Sequence, residues 1–335
     1  MIRHEVIGLG YTRTCPLACS HCITESSPRA QGKMDFERAK AYLTSLASYT
    51  DRTSFTGGEA LLYHREVTRL TAHARDLGLH VSLVTGAGWV RTEPVARRRI
   101  GELADAGLER IAISWDVYHE EFSLCERAVL LARVAVDAGI HVTVRTVRPA
   151  NGSSSDYRAA FADVPVQFET SSLARLGRAA SLPQEHFLDE RSPIRGACNS
   201  VLSALVDYDG RVYACCGPSY FSTPHSPLVL GNAEEEPLEQ ILERAIHDPV
   251  LEVISLLGPY GLYLLLKESD ARDLYRERTS YSSICDLCLD LTNSMEIVAA
   301  IRDHITDSRA QALLTAARML VGREASEPEP VLATR

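Results

Sequence analysis

No unbroken apolar run in this sequence reaches the length that spans a bilayer; the nearest, Val253 to Leu266, is interrupted by Gly258-Pro259 and Gly261. The first residues lack the charged, apolar and small-residue succession of a secretory signal. Positive charge is also short: 35 Lys and Arg stand against 44 Asp and Glu, a formal net charge of -9. A nucleic-acid partner held through its phosphates is therefore not expected. The one basic run, Arg97-Arg98-Arg99, falls in a helical segment and reads as a solvated face. With 45% apolar and 24% charged residues the composition is that of an ordinary globular protein. No membrane association is expected. A chain of 335 residues exceeds what one hydrophobic core usually serves, which predicts a main domain and a smaller one.

Cysteine, by contrast, is plentiful. Nine cysteines without a secretory leader point to metal binding in a reducing cytoplasm and not to disulfides. Three of them crowd into Cys15-Pro16-Leu17-Ala18-Cys19-Ser20-His21-Cys22, directly after Val6-Ile7-Gly8-Leu9-Gly10-Tyr11, which reads as a strand. Thiolates suit iron-sulfur clusters or zinc. A closed structural zinc site takes four ligands, whereas a 4Fe-4S cube held by three cysteines leaves one iron open to a small molecule. The Cys-x3-Cys-x2-Cys loop resembles the signature of the radical S-adenosylmethionine (radical SAM) superfamily. A second motif strengthens the match: Ser54-Phe55-Thr56 ends a second strand and runs into Gly57-Gly58-Glu59, which resembles the superfamily's Gly-Gly-Glu. Glycines let backbone approach a ligand without a Cβ in the way, and the Glu59 carboxylate can accept hydrogen bonds from the methionine ammonium. His21 stands where many members carry an aromatic residue.

Apolar strand-like runs alternate with amphipathic segments through the first half, the pattern of a parallel sheet with crossover helices. Strands are expected near Glu5 to Tyr11, Arg52 to Thr56, His80 to Thr85, Arg110 to Ser114, His141 to Thr146 and Val164 to Phe168. Helices are expected over Asp35 to Tyr49, His64 to Leu77, Glu93 to Ala106 and Glu120 to Ala138, with Gly78, Gly107 and Gly139 as C-terminal caps. Six such units resemble the partial (β/α)6 TIM-like barrel of the radical SAM core, an α/β fold covering residues 1–168.

In such barrels ligands gather at the carboxyl ends of the strands. The resemblance implies SAM contacts there for Gly57, Gly58, Glu59, for Thr85 in the bare turn Thr85-Gly86-Ala87-Gly88, for Ser114 ending the fourth strand and for Arg145 ending the fifth. Arg145 reads equally well as an ion-pair partner. Beyond the fourth strand, Tyr118 and His119 are candidate catalytic residues, the histidine exchanging protons with substrate and the tyrosine donating a hydrogen bond or relaying an electron. Asp116 reads better as the cap of the following helix. Cys125 is a lone helical cysteine and reads as a small core residue.

Residues 169–196 are polar, contain Ser171-Ser172, Gly177, Pro183 and Pro193, and read as a bridging region. Cys198 then precedes a hairpin, Val201 to Tyr208, an Asp209-Gly210 turn, and Arg211 to Cys215-Cys216; Cys285 and Cys288 follow far along the chain. This layout resembles the C-terminal SPASM and twitch extensions of radical SAM enzymes, a smaller α+β domain over 197–292. The full seven-cysteine SPASM set is absent; only the Cys285-x2-Cys288 pair returns. The resemblance to the shorter twitch type implies one auxiliary 4Fe-4S cluster on Cys198, Cys215, Cys285 and Cys288, with Cys216 leaving the assignment open by one position. A zinc site with the same four thiols is the rival reading. Two amphipathic helices are expected over 293–323, and 324–335 is expected to be a disordered tail.

The resemblance implies an enzyme that takes an electron from flavodoxin or ferredoxin, cleaves SAM reductively to a 5'-deoxyadenosyl radical and abstracts hydrogen from its substrate. Enzymes with such extensions often modify ribosomally made precursor peptides, and a peptide maturase is the leading expectation. Against it, the barrel begins by residue 5, leaving no N-terminal leader-binding domain within the sequence. A radical SAM dehydrogenase or modifier of a small alcohol, amine or sugar is the alternative. A non-catalytic iron-sulfur or zinc redox sensor is the reading from another class, and it leaves Gly57-Gly58-Glu59 without a task.

Overall fold

The computed structural model describes residues 2–152 and 157–324, with side chains to residue 319. Six strands, β1 (Val6–Thr12), β2 (Arg52–Gly57), β3 (His80–Thr85), β4 (Leu108–Ser114), β5 (His141–Arg148) and β6 (Gln167–Ser172), run parallel in sequence order. β1 is almost wholly buried, as a strand covered on both faces must be. The crossovers are α1 (Phe36–Leu46), α2 (His64–Asp76), α3 (Glu93–Ala106) and the pair α4 (Val117–Glu120) and α5 (Cys125–Asp137). Their apolar faces close on the sheet in one core that includes Leu9, Phe55, Leu43, Leu70, Ile100 and Leu131. Gly78, Gly107 and Gly139 take positive φ at the helix ends, as their positions predict.

The sheet does not close. β7 (Ser203–Asp207) pairs with the free side of β1, parallel to it, and β8 (Arg211–Tyr213) and β9 (Val229–Asn232) follow antiparallel, so one nine-stranded sheet has β6 and β9 as its edges. The first and second cysteine groups therefore flank neighbouring strands of one sheet. The Asp209-Gly210 turn joins β7 to β8 as expected, with Gly210 at φ 83°.

Three elements differ from expectation. The sixth strand lies at Gln167–Ser172 and not at Val164 to Phe168, because Phe161 and Val164 are buried in the connection while the strand itself is an exposed sheet edge without an apolar face. The helix expected from Glu120 to Ala138 is two: Asp116 caps the short α4, and residues 121–124 turn before α5 begins. The run Val253 to Leu266 is not broken by its glycines; α7 (Pro249–Glu268) passes through as a kinked helix, with Gly258 at φ 70° and Pro259 starting the second half. A Cβ on Gly258 would lie 1.7 Å from the Gly196 carbonyl oxygen, so only glycine permits this contact.

By length and composition α7 is the one helix among the described residues that could cross a membrane, but 61% of its most apolar window is buried inside the protein. It is the centre of a second core, in which Leu251, Ile254 and Leu262 meet residues of α8 (Ile284–Thr292), α9 (Met295–Ile305) and α10 (Ser308–Glu324). α6 (Leu238–Ile246) packs against α1 and binds the N-terminus, where the Ile2 N–H donates to the Ile246 carbonyl at 2.9 Å. The tail expected at 324–335 lies, from residue 325, outside the described residues.

Candidate functional site

The loop carrying Cys15, Cys19 and Cys22 leaves the carboxyl end of β1 and is held by its own backbone: Arg13 N–H donates to Gly32 O at 3.0 Å, Cys15 N–H to Ser27 O at 3.1 Å and Cys22 N–H to Cys19 O at 3.1 Å. The three thiols fall within electrostatic reach of one another. Burial pushes the Cys15 thiol up to about 12, and the Glu59 carboxylate, Cys19 and Cys22 add to the rise. A buried thiol so raised ionises readily only beside a positive centre. The donor set therefore fits a cluster.

Gly57 and Gly58 do more than open a path to a ligand: the backbone they approach is that of the cysteine loop. Gly58 N–H donates to Thr12 O at 2.6 Å and Glu59 N–H to Thr14 O at 2.9 Å. Gly57 sits at φ 118°, and a Cβ on Gly57 or Gly58 would come within 2.5 Å of Thr12 O or 2.4 Å of Thr14 O. The Glu59 carboxylate is fully buried. Its Oε1 accepts from Leu61 N–H at 3.2 Å, and its Oε2 from the Thr85 hydroxyl at 2.7 Å and Gly86 N–H at 3.3 Å. Burial raises it to about 7 against those bonds. The Thr85 hydroxyl in turn accepts from Ala87 N–H and Trp89 Nε1–H, both at 3.1 Å. It points into the protein, so its observed task is to join the β3 turn to Glu59. The bareness of that turn also has a cause, since a Cβ on Gly88 would lie 2.8 Å from a Leu17 methyl carbon.

Register places Ser114 beside Arg145 on β4 and β5. Arg145 is exposed and its Nε–H donates to Glu169 Oε2 at 2.7 Å, the ion-pair arrangement weighed for it above.

Tyr118 and His119 are not laid along an open cavity. Both are buried, at 6% and 5% exposure, because the Asp116 cap folds α4 back onto the cysteine loop. Asp116 is more than a cap: Oδ1 accepts from Tyr118 N–H at 3.1 Å and lies 2.7 Å from His119 Nδ1, while Oδ2 accepts from Val147 N–H at 3.2 Å and lies 3.2 Å from His21 Nε2. Burial alone would raise this carboxyl, but the two histidines hold it well below the usual carboxylate range. The His119 ring also lies within electrostatic reach of the Cys19 thiol. Burial works against its protonation, yet Asp116 and Cys19 outweigh burial and take it to about 10. Tyr118 stacks on His21 with ring centres 4.7 Å apart, and its hydroxyl lies 2.9 Å from His186 Nδ1.

Arg178 was not legible as a site residue. It lies in the polar bridging region, yet its guanidinium donates to Cys19 O at 2.6 Å and Ser26 O at 2.8 Å, and its backbone N–H to Cys22 O at 3.1 Å. The available signal was the spacing of Leu173, Ala179 and Phe187 around it, which form a small core with Tyr118.

In the second group, Cys198 precedes a short helical turn, Cys215 follows β8, and Cys285 and Cys288 lie on α8. The four thiols lie within electrostatic reach of one another: burial and then Cys215 and Cys198 push Cys285 up to about 12, and the same causes with Cys285 push Cys288 far up. Cys216 is coupled to Cys215 and Cys198 and also to Arg145. Arg13 links the two groups, pairing with Asp207 at 2.5 Å and lying 4.6 Å from the centre of the Tyr220 ring. All nine cysteines are free of disulfides.

Residues 9–148 match the family model described as the radical SAM superfamily, and residues 198–248 match the SPASM model, an iron-sulfur cluster-binding domain. The chain is 21% identical over 306 residues to YydG of Bacillus subtilis (strain 168), named as a peptide biosynthesis protein, covering 88% of this chain and 93% of that one. It is 33% identical over 114 residues to the PqqA peptide cyclase of Bradyrhizobium diazoefficiens, 33% of this chain but only 28% of the cyclase. Among solved structures, anSMEcpe with bound AdoMet and the Cp18Cys peptide shares the fold at a TM-score of 0.51 and 12% identity, over 94% of this chain and 99% of that one. With a Gly-Gly-Glu turn bonded to the backbone that leads into three thiols at the strand ends of an open α/β barrel, and a four-thiol group further along the chain, residues 9–148 are a radical SAM domain and residues 198–248 a SPASM domain, and the chain is an enzyme that uses a 4Fe-4S cluster, SAM and an auxiliary iron-sulfur cluster.

Proposed function

We propose that this enzyme modifies a ribosomally synthesised precursor peptide. The observation that carries the radical SAM chemistry is the Gly57-Gly58-Glu59 turn hydrogen-bonded to Thr12 and Thr14, the backbone that leads into the Cys15–Cys22 loop; the peptide substrate is supported by similarity to YydG over nearly the whole of both chains. Cys15, Cys19 and Cys22 would hold the first cluster, and Cys198, Cys215, Cys285 and Cys288 the auxiliary one, of the twitch kind. When bound, the first cluster and SAM supply a 5'-deoxyadenosyl radical that takes a hydrogen atom from an unactivated C–H bond. The chain's own work is to hold and shield: Glu59 and Thr85 brace the strand ends around the cysteine loop, and Arg178 covers its carbonyls. Ser114 and Arg145 are the candidates for SAM's polar groups, Arg145 exchanging Glu169 for the SAM carboxylate. Tyr118 and His119 serve the cysteine loop and do not meet substrate. The reductant is of the flavodoxin or ferredoxin class, the compartment is the cytoplasm, and a net charge of -9 disfavours nucleic acid as a partner.

Anaerobic reconstitution with iron and sulfide tests this. About eight irons per chain are expected for two cubes, falling to about four in the Cys15→Ala/Cys19→Ala/Cys22→Ala variant. Only the wild type should release 5'-deoxyadenosine from SAM and dithionite, and a short peptide encoded beside the gene should change mass or take up deuterium. No deoxyadenosine from the wild type sinks the radical mechanism. Turnover of a small alcohol, amine or sugar with no change in the peptide moves the substrate to that class.

A further inference from the structure

The two edges of the sheet differ in kind. β9 has four residues and α6 packs against it. β6 has six, of which five are exposed and Phe168 is half-buried, and among the described residues nothing pairs with its outer side. Open edges are usually blunted by proline, lysine, a bulge or a covering element. Gln167-Phe168-Glu169-Thr170-Ser171-Ser172 contains neither proline nor lysine, and its register on β5 is unbroken from Gln167 to Ser172. Its one charge, Glu169, is already held by Arg145 at 2.7 Å. The position of this edge matters as much as its openness. β4 stops at Ser114, level with Arg145 and Glu169, while β5 and β6 run on together through Thr146 with Thr170, Val147 with Ser171 and Arg148 with Ser172. The edge therefore overhangs the strand ends where the candidate SAM contacts collect. It is braced from within: Trp115 N–H donates to Arg145 O at 2.9 Å, Val147 N–H to Asp116 Oδ2 at 3.2 Å, and the Thr146 and Thr170 hydroxyls meet at 3.1 Å.

We propose that the outer edge of β6 docks the substrate: an extended, carboxylate-bearing segment of the precursor peptide adds to it as a further strand. The inference rests on the peptide-substrate reading given above. A fixed row of unpaired N–H and C=O groups is complemented by another main chain, and affinity gained in this way tolerates varied side chains. Thr170, Ser171 and Ser172 are small and polar, so the overhang offers no apolar face to a hydrophobic partner. Charge narrows the occupant further. With Glu169 held by Arg145, the charge left on the overhang is that of Arg148, which is exposed and makes no ion pair among the described residues. A carboxylate in the docked segment is its complement, whereas a second copy of the chain would bring a net charge of -9 against its like. The added strand takes the next place in the row Ser114, Arg145, Glu169, three strand spacings or about 14 Å from Ser114. The paired segment is thus held beside the mouth, and a residue further along the peptide enters the site.

The test uses the reconstituted full chain and, as probe, the short peptide encoded beside the gene. Amide hydrogen exchange in fragments covering 167–172 should slow about tenfold or more when the peptide is added, while fragments over β9 stay unchanged. Thr170→Pro and Ser171→Pro then separate the two sides of the strand, since consecutive residues direct their N–H groups oppositely: one proline removes an outward donor, the other a ladder bond to β5. The first should keep the wild-type Tm, release deoxyadenosine from SAM and dithionite without peptide as the wild type does, and bind peptide about tenfold more weakly. Arg148→Glu should weaken binding at low salt and less at high salt. Peptide binding without slowed exchange over β6, or wild-type affinity in both proline variants and Arg148→Glu, would overturn the proposal. Protection of β6 that grows with protein concentration in the absence of peptide would overturn it in favour of a second copy. If both proline variants fail to fold, exchange in the wild type decides. A peptide that neither binds nor changes mass would remove the peptide reading and this proposal with it.

Discussion

Thr85 and Arg145 show how far a residue can be read from its position alone. Both were placed at strand ends; Thr85 does end β3, whereas β5 runs on to Arg148 and Arg145 lies inside it, level with Ser114, and side-chain direction separates the two further. Thr85 is 1% exposed with its hydroxyl engaged by Glu59, Ala87 and Trp89. Thr85→Val strands the Glu59 carboxylate without its closest donor and should cost about 1–3 kcal/mol, seen as a lower Tm. Arg145 pairs with Glu169 where both are about half exposed, so Arg145→Ala should change stability by less than about 1 kcal/mol. If it binds SAM as proposed, the KM for SAM rises; an unchanged KM leaves only a surface pair. Cysteine positions were legible because few other residues can hold iron, and their spacing survives translation into space. Asp116, His119 and Arg178 were not legible as partners of the cysteine loop, because their partners lie far away in sequence and only packing brings them together.

At the level of elements, the cysteine loop is built into a three-way junction with the Gly57-Glu59 turn and the bridging segment. Gly57→Ala would place a methyl 2.5 Å from Thr12 O in a backbone at φ 118°. Strain of roughly 1–3 kcal/mol should part the turn from the loop, so that reconstituted iron falls short of the wild-type count; a fully loaded variant would show that the contact is dispensable. Arg178→Ala removes the guanidinium bonds to Cys19 O and Ser26 O. With hydrogen bonds to charged groups contributing about 1.5–3 kcal/mol, iron should pass to a chelator roughly ten times faster or more, and an unchanged rate would reduce Arg178 to a surface residue. The strands β1 to β5 and their helices were legible because apolar residues repeat at the period of the element. β6 was displaced by a few residues because an edge strand needs no apolar face. The bridging segment was read as featureless because its order comes from the loop it covers.

At the scale of the whole molecule, the joint between the two cores carries its own titrating group. His4 is 1% exposed beside β1, and burial, only partly offset by the nearby Leu202 carbonyl, lowers it from 6.5 to about 4. The folded state thus favours the neutral ring. Its contribution to stability is complete above pH 6.5 and is lost as pH falls towards 4, by up to about 3 kcal/mol. His4→Phe should flatten this part of the pH-stability curve relative to the wild type, and identical curves would exclude His4 as the cause. The sequence by itself determined the α/β alternation, the strand ends where thiols and glycines collect, and the pairing of a three-cysteine with a four-cysteine group, because these rest on local periodicity and on the metal chemistry of particular residue types. Tertiary structure alone decided that β7 docks on β1 so that one sheet carries both groups, that Tyr118 and His119 turn towards the cysteine loop, and that the apolar α7 is a buried core helix. Those outcomes depend on which distant surfaces exclude water from each other, and no short window of sequence contains both partners.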